Sequence, residues 1–177
     1  MKVRAAVAHK AGQPLTIEAS KAPMSGVASA GFTQGESSGA ATDSLKPILP
    51  MLSFLDSANN ARIFKDTMRS TPGTLKVRLL CKMESPNTSK SVKFKAYVAA
   101  VSVGDASVSA KVFAAANSAT VTCTDAADTL FEVVVTLTLA DSIAKNDWFN
   151  LAIVRDVSVA NNASGKVYVM DGILYSE

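Results

Sequence analysis

Apolar and polar residues alternate most regularly within residues 129–156. In the first half of this stretch every second residue is apolar, namely Phe131, Val133, Val135, Leu137 and Leu139. A period of two places these side chains on one face of a β-strand, and the many β-branched residues favour the same structure. A polar connection at residues 140–147 leads to a second apolar segment at residues 148–154. The stretch therefore predicts two strands, each with one face that a second apolar layer must cover.

The same alternation recurs along the rest of the chain after residue 50. It predicts further strands at residues 51–56, 62–66, 74–82, 92–101, 108–115, 119–124 and 166–175. The Asp171-Gly172 pair inside the last strand predicts a β-bulge. Helix signals are absent, except for a turn near residues 125–128. The series predicts an all-β fold, a two-sheet antiparallel β-sandwich that is jelly-roll-like.

The first fifty residues have a different character. Residues 19–50 are rich in Ala, Gly, Ser and Thr, and their few apolar residues form no periodic face. Such a segment buries too little apolar area to offset its ordering entropy, roughly 1–2 kcal/mol per residue for the backbone. We therefore expect an extended anchoring arm over residues 1–50, held by an assembly partner, followed by a β-sandwich domain over residues 51–177.

Composition and charge argue against several classes of protein. No apolar run approaches the roughly 20 residues of a membrane helix, and the first residues lack the apolar core of a signal peptide. The formal net charge of +3 is too small to indicate nucleic-acid binding by itself. Cys81 and Cys123 lack CxxC spacing and favour two reduced core thiols, although sequence alone leaves a disulfide between them open.

Candidate catalytic and metal-binding residues lack the partners that their chemistry needs. His9 is the single histidine and lies in the predicted arm. The carboxylates that could form a hydrolytic pair fall at strand ends or in loops, where Asp is an ordinary turn residue; they are Asp125, Asp128, Asp141, Asp147 and Asp156. A calcium site at Asp56, Asp105 and Asp171 would lack DxDxDG spacing. The sequence thus predicts no catalytic, cofactor-binding or metal-binding residues, and no cofactor.

Three further features have both a structural and a functional interpretation. Arg155 and Asp156 are expected to form a local ion pair or to contact the backbone at a strand end. Trp148 and Tyr168 fit either a core or interface role or a sugar-binding platform. Several basic residues share the polar parity of two predicted strands and fit a solvated sheet face or a single cationic docking face; they are Lys76, Arg78, Lys82, Lys90, Lys93 and Lys95.

The order of these segments resembles a known β-sandwich module. Residues 52–68 open the domain, residues 73–85 give its first long strand, residues 130–156 form its middle, and residues 161–177 close it. The middle segment has a Thr-rich strand, a polar turn, and a strand that ends in Arg155-Asp156. A small-residue loop then leads to the closing strand. This layout resembles the carboxyl-terminal module of tailed-bacteriophage virion proteins, including head fibres, capsid decoration (cement) proteins and tail-associated receptor binders.

The resemblance implies a non-enzymatic virion structural protein, made in the host cytoplasm and assembled into the particle. It implies a homotrimer whose residues 1–50 attach to the major capsid protein or other virion proteins, with neither nucleic acid nor membrane as a partner. The alternative that it leaves open is a receptor- or carbohydrate-binding module of a tail or head appendage.

A second, shorter resemblance concerns residues 1–18. The alternation of Val3, Ala5 and Val7, a turn at Gly12-Gln13-Pro14, and then Leu15 and Ile17, is similar to the opening strand pair of zinc alcohol dehydrogenases. The likeness ends there, because neither a Cys/His ligand set nor a GxGxxG motif follows.

Overall fold

The computed structural model describes residues 13–14, 28–29, 31–35, 49–57, 59–105, 108–123 and 129–177. Strands dominate these residues, joined by a single short 3₁₀ helix at Val108–Ala110. The strands are β1 Gln13–Pro14, β2 Ala28–Ser29, β3 Gly31–Gly35, β4 Leu49–Phe54, β5 Asn60–Thr67, β6 Leu75–Met83, β7 Ser91–Val101, β8 Asn117–Thr122, β9 Leu130–Leu137, β10 Trp148–Arg155 and β11 Val167–Ser176. No helix among the described residues has the length and apolar character needed to cross a membrane.

Two sheets stack face to face. The first has the order β3-β4-β11-β6-β9, with β1 also paired to β11, and the second has the order β2-β5-β10-β7-β8. From β4 to β11 successive strands lie in alternate sheets, except that β7 and β8 are neighbours in the second sheet. The resulting orders 4-11-6-9 and 5-10-7-8 are those of a jelly roll. All pairs among these eight strands are antiparallel, whereas β2 runs parallel to β5. The predicted all-β, jelly-roll-like sandwich is confirmed.

The core lies between the sheets and is built from the apolar parity of each strand. In β6 and β9 every second residue is buried, as the alternation predicts. The inward side chains of β7 and β10 meet them from the second sheet. Phe54 and Phe94 join the two layers edge to face, with ring centroids 5.3 Å apart. Hydrophobic burial between two pleated faces therefore fixes which side of each strand points inward.

One predicted strand is wrong. Residues 108–115 contain the 3₁₀ helix and irregular chain, and β8 starts only at Asn117. The N–H of Ala114 donates to the carbonyl of Val98 at 2.8 Å, but this bond is not continued into a ladder. Val112 is 77% exposed and Phe113 is only half-buried, so this segment has no row of side chains in the core between the sheets. The predicted bulge is confirmed, because the register of β11 against β6 shifts between Val169 and Asp171.

Three short strands fall within the predicted arm. β3 extends the first sheet beside β4, while β1 pairs with β11 and β2 with β5. Gln13 and Pro14 therefore form a strand where the sequence predicts a turn. These stretches pair with the sheets of their own chain, in addition to any contact with a partner. His9, Asp125, Asp128 and the predicted strand residues Val3, Ala5, Val7, Leu15 and Ile17 lie outside the described residues.

Candidate functional site

Four of the aspartates that the sequence offers as catalytic or calcium-binding residues act as loop caps. Each of Asp56, Asp105, Asp141 and Asp147 accepts a hydrogen bond from a backbone N–H in a loop or at a strand end. The shortest of these joins the Asp56 carboxylate to the N–H of Gly165 at 2.6 Å. Of the five aspartates for which the sequence favours a turn role, Asp141 and Asp147 have such contacts. Within the described ranges, no group of three or more His, Cys, Asp or Glu side chains is arranged to hold a metal ion.

Both cysteines are free thiols inside the sandwich, as the sequence favours. Cys81 is fully buried on β6, and Cys123 directly follows β8 in the opposite sheet. Burial raises the pKa of both thiols above the ordinary value, because a thiolate is poorly solvated there. They serve as small apolar core residues rather than as nucleophiles.

Arg155 ends β10 with a fully buried guanidinium group. Its NH1 donates to the carbonyls of Phe54 and Gly165 at 3.1 and 2.7 Å. Its NH2 donates to the carbonyl of Ala163 at 2.6 Å and to the Oδ1 of Asn162 at 3.5 Å. The arginine therefore ties the strand end to the β4–β5 and β10–β11 loops. Of the two expected roles, the backbone contacts are confirmed.

Asp156 forms its ion pairs with two lysines of β7. Its Oδ2 lies 3.1 Å from the Nζ of Lys93 and 2.9 Å from that of Lys95, and the carboxylate is 1% exposed. Burial acts to raise the pKa of Asp156, but hydrogen bonds from Ser158 and both lysines outweigh it and hold the pKa well below its usual range. The pKa of Lys95 is raised, chiefly by its hydrogen bond to Asp156. Asp156 and Lys95 are therefore both charged at neutral pH.

We expect Asp156→Asn to lower the free energy of unfolding by about 1–3 kcal/mol at pH 7, since charge-assisted hydrogen bonds are lost around partly exposed lysines. A carboxylate with a depressed folded-state pKa contributes stability above its unfolded pKa, near 3.9, and loses it as the pH falls through the folded pKa. The stability gap between the wild-type protein and the variant should therefore narrow below about pH 4. Urea unfolding from pH 7 to pH 3 checks this, and a gap that widens with acid would contradict it.

The single cationic face that the sequence offers as one interpretation is wrong. β6 and β7 follow one another in the chain but belong to opposite sheets, so their outward lysines and arginines point in opposite directions. On the first sheet, Lys76 pairs with Glu177, and the Nε of Arg78 lies 2.9 Å from the Glu132 carboxylate. Chain crossover between sheets, which the alternation does not encode, separates the two sets of charges.

The same crossover separates Trp148 from Tyr168. Tyr168 lies on the outer side of the first sheet, where the Nζ of Lys82 is 5.6 Å from its ring centroid. Trp148 begins β10 in the second sheet. The two aromatic residues therefore cannot form one sugar platform, and a platform must be sought around Trp148 alone.

Trp148 lies on the outer face of the second sheet, in a register that the strand pairing defines. We call this surface the Trp148 face. The pairing places Thr67, Trp148 and Val101 in one row across β5, β10 and β7, and Lys65, Asn150 and Ala99 in the next outward row. The face comprises the outward residues Ala61, Ile63, Lys65, Thr67, Lys93, Lys95, Tyr97, Ala99, Val101, Trp148, Asn150, Ala152, Val154 and Asp156.

Aromatic groups lie at two levels of the Trp148 face. Trp148 is 39% exposed, next to the exposed Thr67. Tyr97 is half-buried, four residues before Val101 on β7, which at about 3.3 Å per residue places it about 13 Å along the strands. Phe113 packs against Tyr97, with ring centroids 6.4 Å apart. Ala99 lies between the two levels and Ala152 lies beside Tyr97, and both are buried, so the exposed part of the face is the end around Trp148, Thr67 and Lys65.

Asn150 is the polar group nearest to Trp148 along the outer face of β10. Its Oδ1 is buried and has no hydrogen-bond partner. Buried carbonyl oxygens without a donor are uncommon in folded proteins. Because this oxygen is covered by the protein, the exposed polar groups nearest to Trp148 are Thr67 in its own row and Lys65 in the next. Sequence reasoning identified Trp148 but missed Asn150 and Lys65, whose only signal is that they share the outward parity of their strands with Trp148 and Thr67.

No protein-family model matches the sequence, and no curated protein matches it. Among solved structures, the family 11 carbohydrate-binding module from Clostridium thermocellum is similar, with a TM-score of 0.45, 12% identity, and 95% and 98% of the two chains covered. The module TmCBM61 in complex with β-1,4-galactotriose has a TM-score of 0.34 and 15% identity over 72% of this chain and 71% of its own. The K3 adhesin domain of Lys-gingipain from Porphyromonas gingivalis has a TM-score of 0.39 and 15% identity over 72% and 74%. Scores below 0.5 decide nothing about ligand or role, and the architecture rests on this chain's own strand order.

Proposed function

We propose that this protein is a non-enzymatic binding module that holds carbohydrate on its Trp148 face, as part of a bacteriophage appendage. The observation that carries the proposal is the partly exposed Trp148 beside the exposed Thr67, with the exposed Lys65 in the next row. A pyranose ring has apolar C–H faces and a rim of hydroxyl groups. An indole ring with nearby hydrogen-bonding groups complements both parts, because it offers an apolar surface and polar contacts together.

The setting in a virion is supported by the resemblance of the strand-and-turn layout to phage virion modules. The loop-capping roles of the aspartates support a role in binding without catalysis, since they are committed to backbone N–H groups. A polysaccharide of the host-cell surface is the ligand that fits both carbohydrate binding and a place in a phage appendage.

Binding of the full chain to a panel of soluble polysaccharides and to host-cell surface glycans tests this proposal. Isothermal titration calorimetry should give saturable binding to at least one polysaccharide, without release of reducing ends. Failure to bind every member of the panel, and the host surface as well, would overturn it.

A second candidate function is capsid decoration, favoured by the strand additions of β1, β2 and β3. These short strands join both sheets through backbone hydrogen bonds, and the same strand addition to a neighbouring subunit would attach the arm to a particle. Brief proteolysis between residues 26 and 42 should then leave a folded core that no longer rebinds stripped particles. If that core rebinds as well as the full chain, the arm is not the anchor.

A further inference from the structure

Strand β9 forms one edge of the first sheet. Among the described residues it pairs with β6 alone, in an uninterrupted register from Leu130 to Leu137. In an antiparallel ladder, alternate residues direct their N–H and C=O groups to opposite sides of the strand. Half of the backbone groups of β9 therefore face away from β6, along an edge of eight residues to which a further strand can be added.

The β9 edge lacks the features that usually prevent pairing between sheet edges. Its sequence, LFEVVVTL, contains neither lysine nor proline, and no bulge interrupts its register with β6. Its outward side includes Leu130, which is 49% exposed, and the partly exposed Val134. The edge strand β8 of the second sheet differs, because its outward residues are exposed and polar; they are Ser118, Thr120 and Thr122. Of these two edges, β9 is therefore the better suited to pairing.

The sandwich is incompletely closed beside this edge. The side chain of Asn117, at the start of β8, bonds to the backbone N–H and C=O of Leu139, just after β9. The two edge strands therefore lie on the same side of the molecule. Ala119 and Val121 pack from β8 against the core, yet both remain partly exposed. A strand added to β9 would reduce this exposure, so hydrophobic burial favours the addition.

The apolar positions of β9 are complementary to those of a second copy. When two antiparallel copies are centred on Val134, the inward Val133 of one lies opposite the inward Val135 of the other. Phe131 lies opposite Leu137 in the same way. The inward side chains of both copies thus continue a single apolar layer, as an added strand requires.

The charges on the outer side fit the same register. It places Glu132 of one copy opposite Thr136 of the second copy, and within each copy Thr136 is paired with Lys76 of β6. One row across the contact therefore contains a carboxylate and, about 10 Å away across two strand spacings, an ammonium group. These charges attract each other, and no like charges lie directly opposite.

We propose that two copies of this protein associate through their β9 edges, in the antiparallel register centred on Val134. Backbone hydrogen bonds would join the two first sheets into one continuous sheet. The contact has a twofold axis and gives a dimer, in place of the homotrimer that the resemblance implies. Trp148 belongs to the second sheet, so this proposal does not rest on carbohydrate binding.

Sedimentation equilibrium of the full chain should show a monomer–dimer equilibrium, and substitutions at the exposed Thr136 test the register. Thr136→Lys places an ammonium group opposite Glu132 of the other copy twice in each dimer, and should tighten the dimer by about three- to tenfold. Thr136→Glu places a second carboxylate there and should weaken the dimer by about three- to tenfold.

Thr67→Glu changes an exposed threonine of β5 in the second sheet and is the matched control, which should leave the dimer unchanged. Circular dichroism checks that every variant keeps the fold. A monomer at about 100 μM, or a trimer, overturns the proposal. A change in the same direction for both Thr136 variants, or no change in either, also overturns it, because Thr136 would then not lie opposite Glu132.

Discussion

Arg155→Met is expected to lower the free energy of unfolding by about 3–5 kcal/mol, a larger loss than we expect for Asp156→Asn. The buried guanidinium group satisfies the carbonyls of Phe54, Ala163 and Gly165 at 2.6–3.1 Å. Methionine fills a similar volume but donates no hydrogen bonds, so these oxygens would be left without this donor inside the protein. Burial lowers the pKa of Arg155, yet a guanidinium of such high ordinary pKa stays charged, and the carbonyl dipoles stabilise it.

Urea unfolding at pH 7 measures this effect, with Arg78→Met as the matched control. Arg78 makes a partly exposed ion pair with Glu132, and its loss should cost less than about 1 kcal/mol. If Arg155→Met costs no more than the control, the arginine does not hold the loops as described.

The inward face of each strand was predictable from the sequence, because an alternation with a period of two puts the apolar side chains on one face, and that face must be buried. Phe131, Val133 and Val135 are buried as the alternation requires, since turning the strand over would expose them to water. The strand predicted at residues 108–115 does not form, because its apolar side chains are not buried between the sheets. Its apolar residues fit the local propensity for a strand, but none of them belongs to the core between the sheets, and Val112 remains exposed.

The assignment of strands to sheets was not predictable from alternation. The pattern states which side chains face inward but not which sheet a strand joins. The alternation therefore places β6 and β7 on one cationic face, although they lie in opposite layers. The cluster of Asp156 with Lys93 and Lys95 depends on the pairing of β10 with β7, residues about sixty positions apart. Long-range pairing of this kind is set by the whole packed sandwich rather than by any local stretch.

Trp148→Ala should weaken polysaccharide binding by about 30-fold or more, corresponding to about 2 kcal/mol of binding free energy. The indole ring is the exposed apolar surface on which a sugar ring would stack, and alanine removes that surface. The stability of the fold should change little, because the side chain is 39% exposed at the first position of β10 and is not part of the core between the sheets.

The most direct test of the central claim compares Trp148→Ala with Tyr168→Ala by calorimetric titration of the full chain against the polysaccharide that it binds most tightly. Tyr168 is an aromatic residue of the opposite sheet, so its replacement controls for the general loss of a surface ring. If the Trp148 face is the carbohydrate site, Trp148→Ala should bind the polysaccharide about 30-fold more weakly than the wild-type protein. Tyr168→Ala should bind it with the wild-type affinity. Unchanged binding by Trp148→Ala, or a comparable loss in Tyr168→Ala, would contradict that claim.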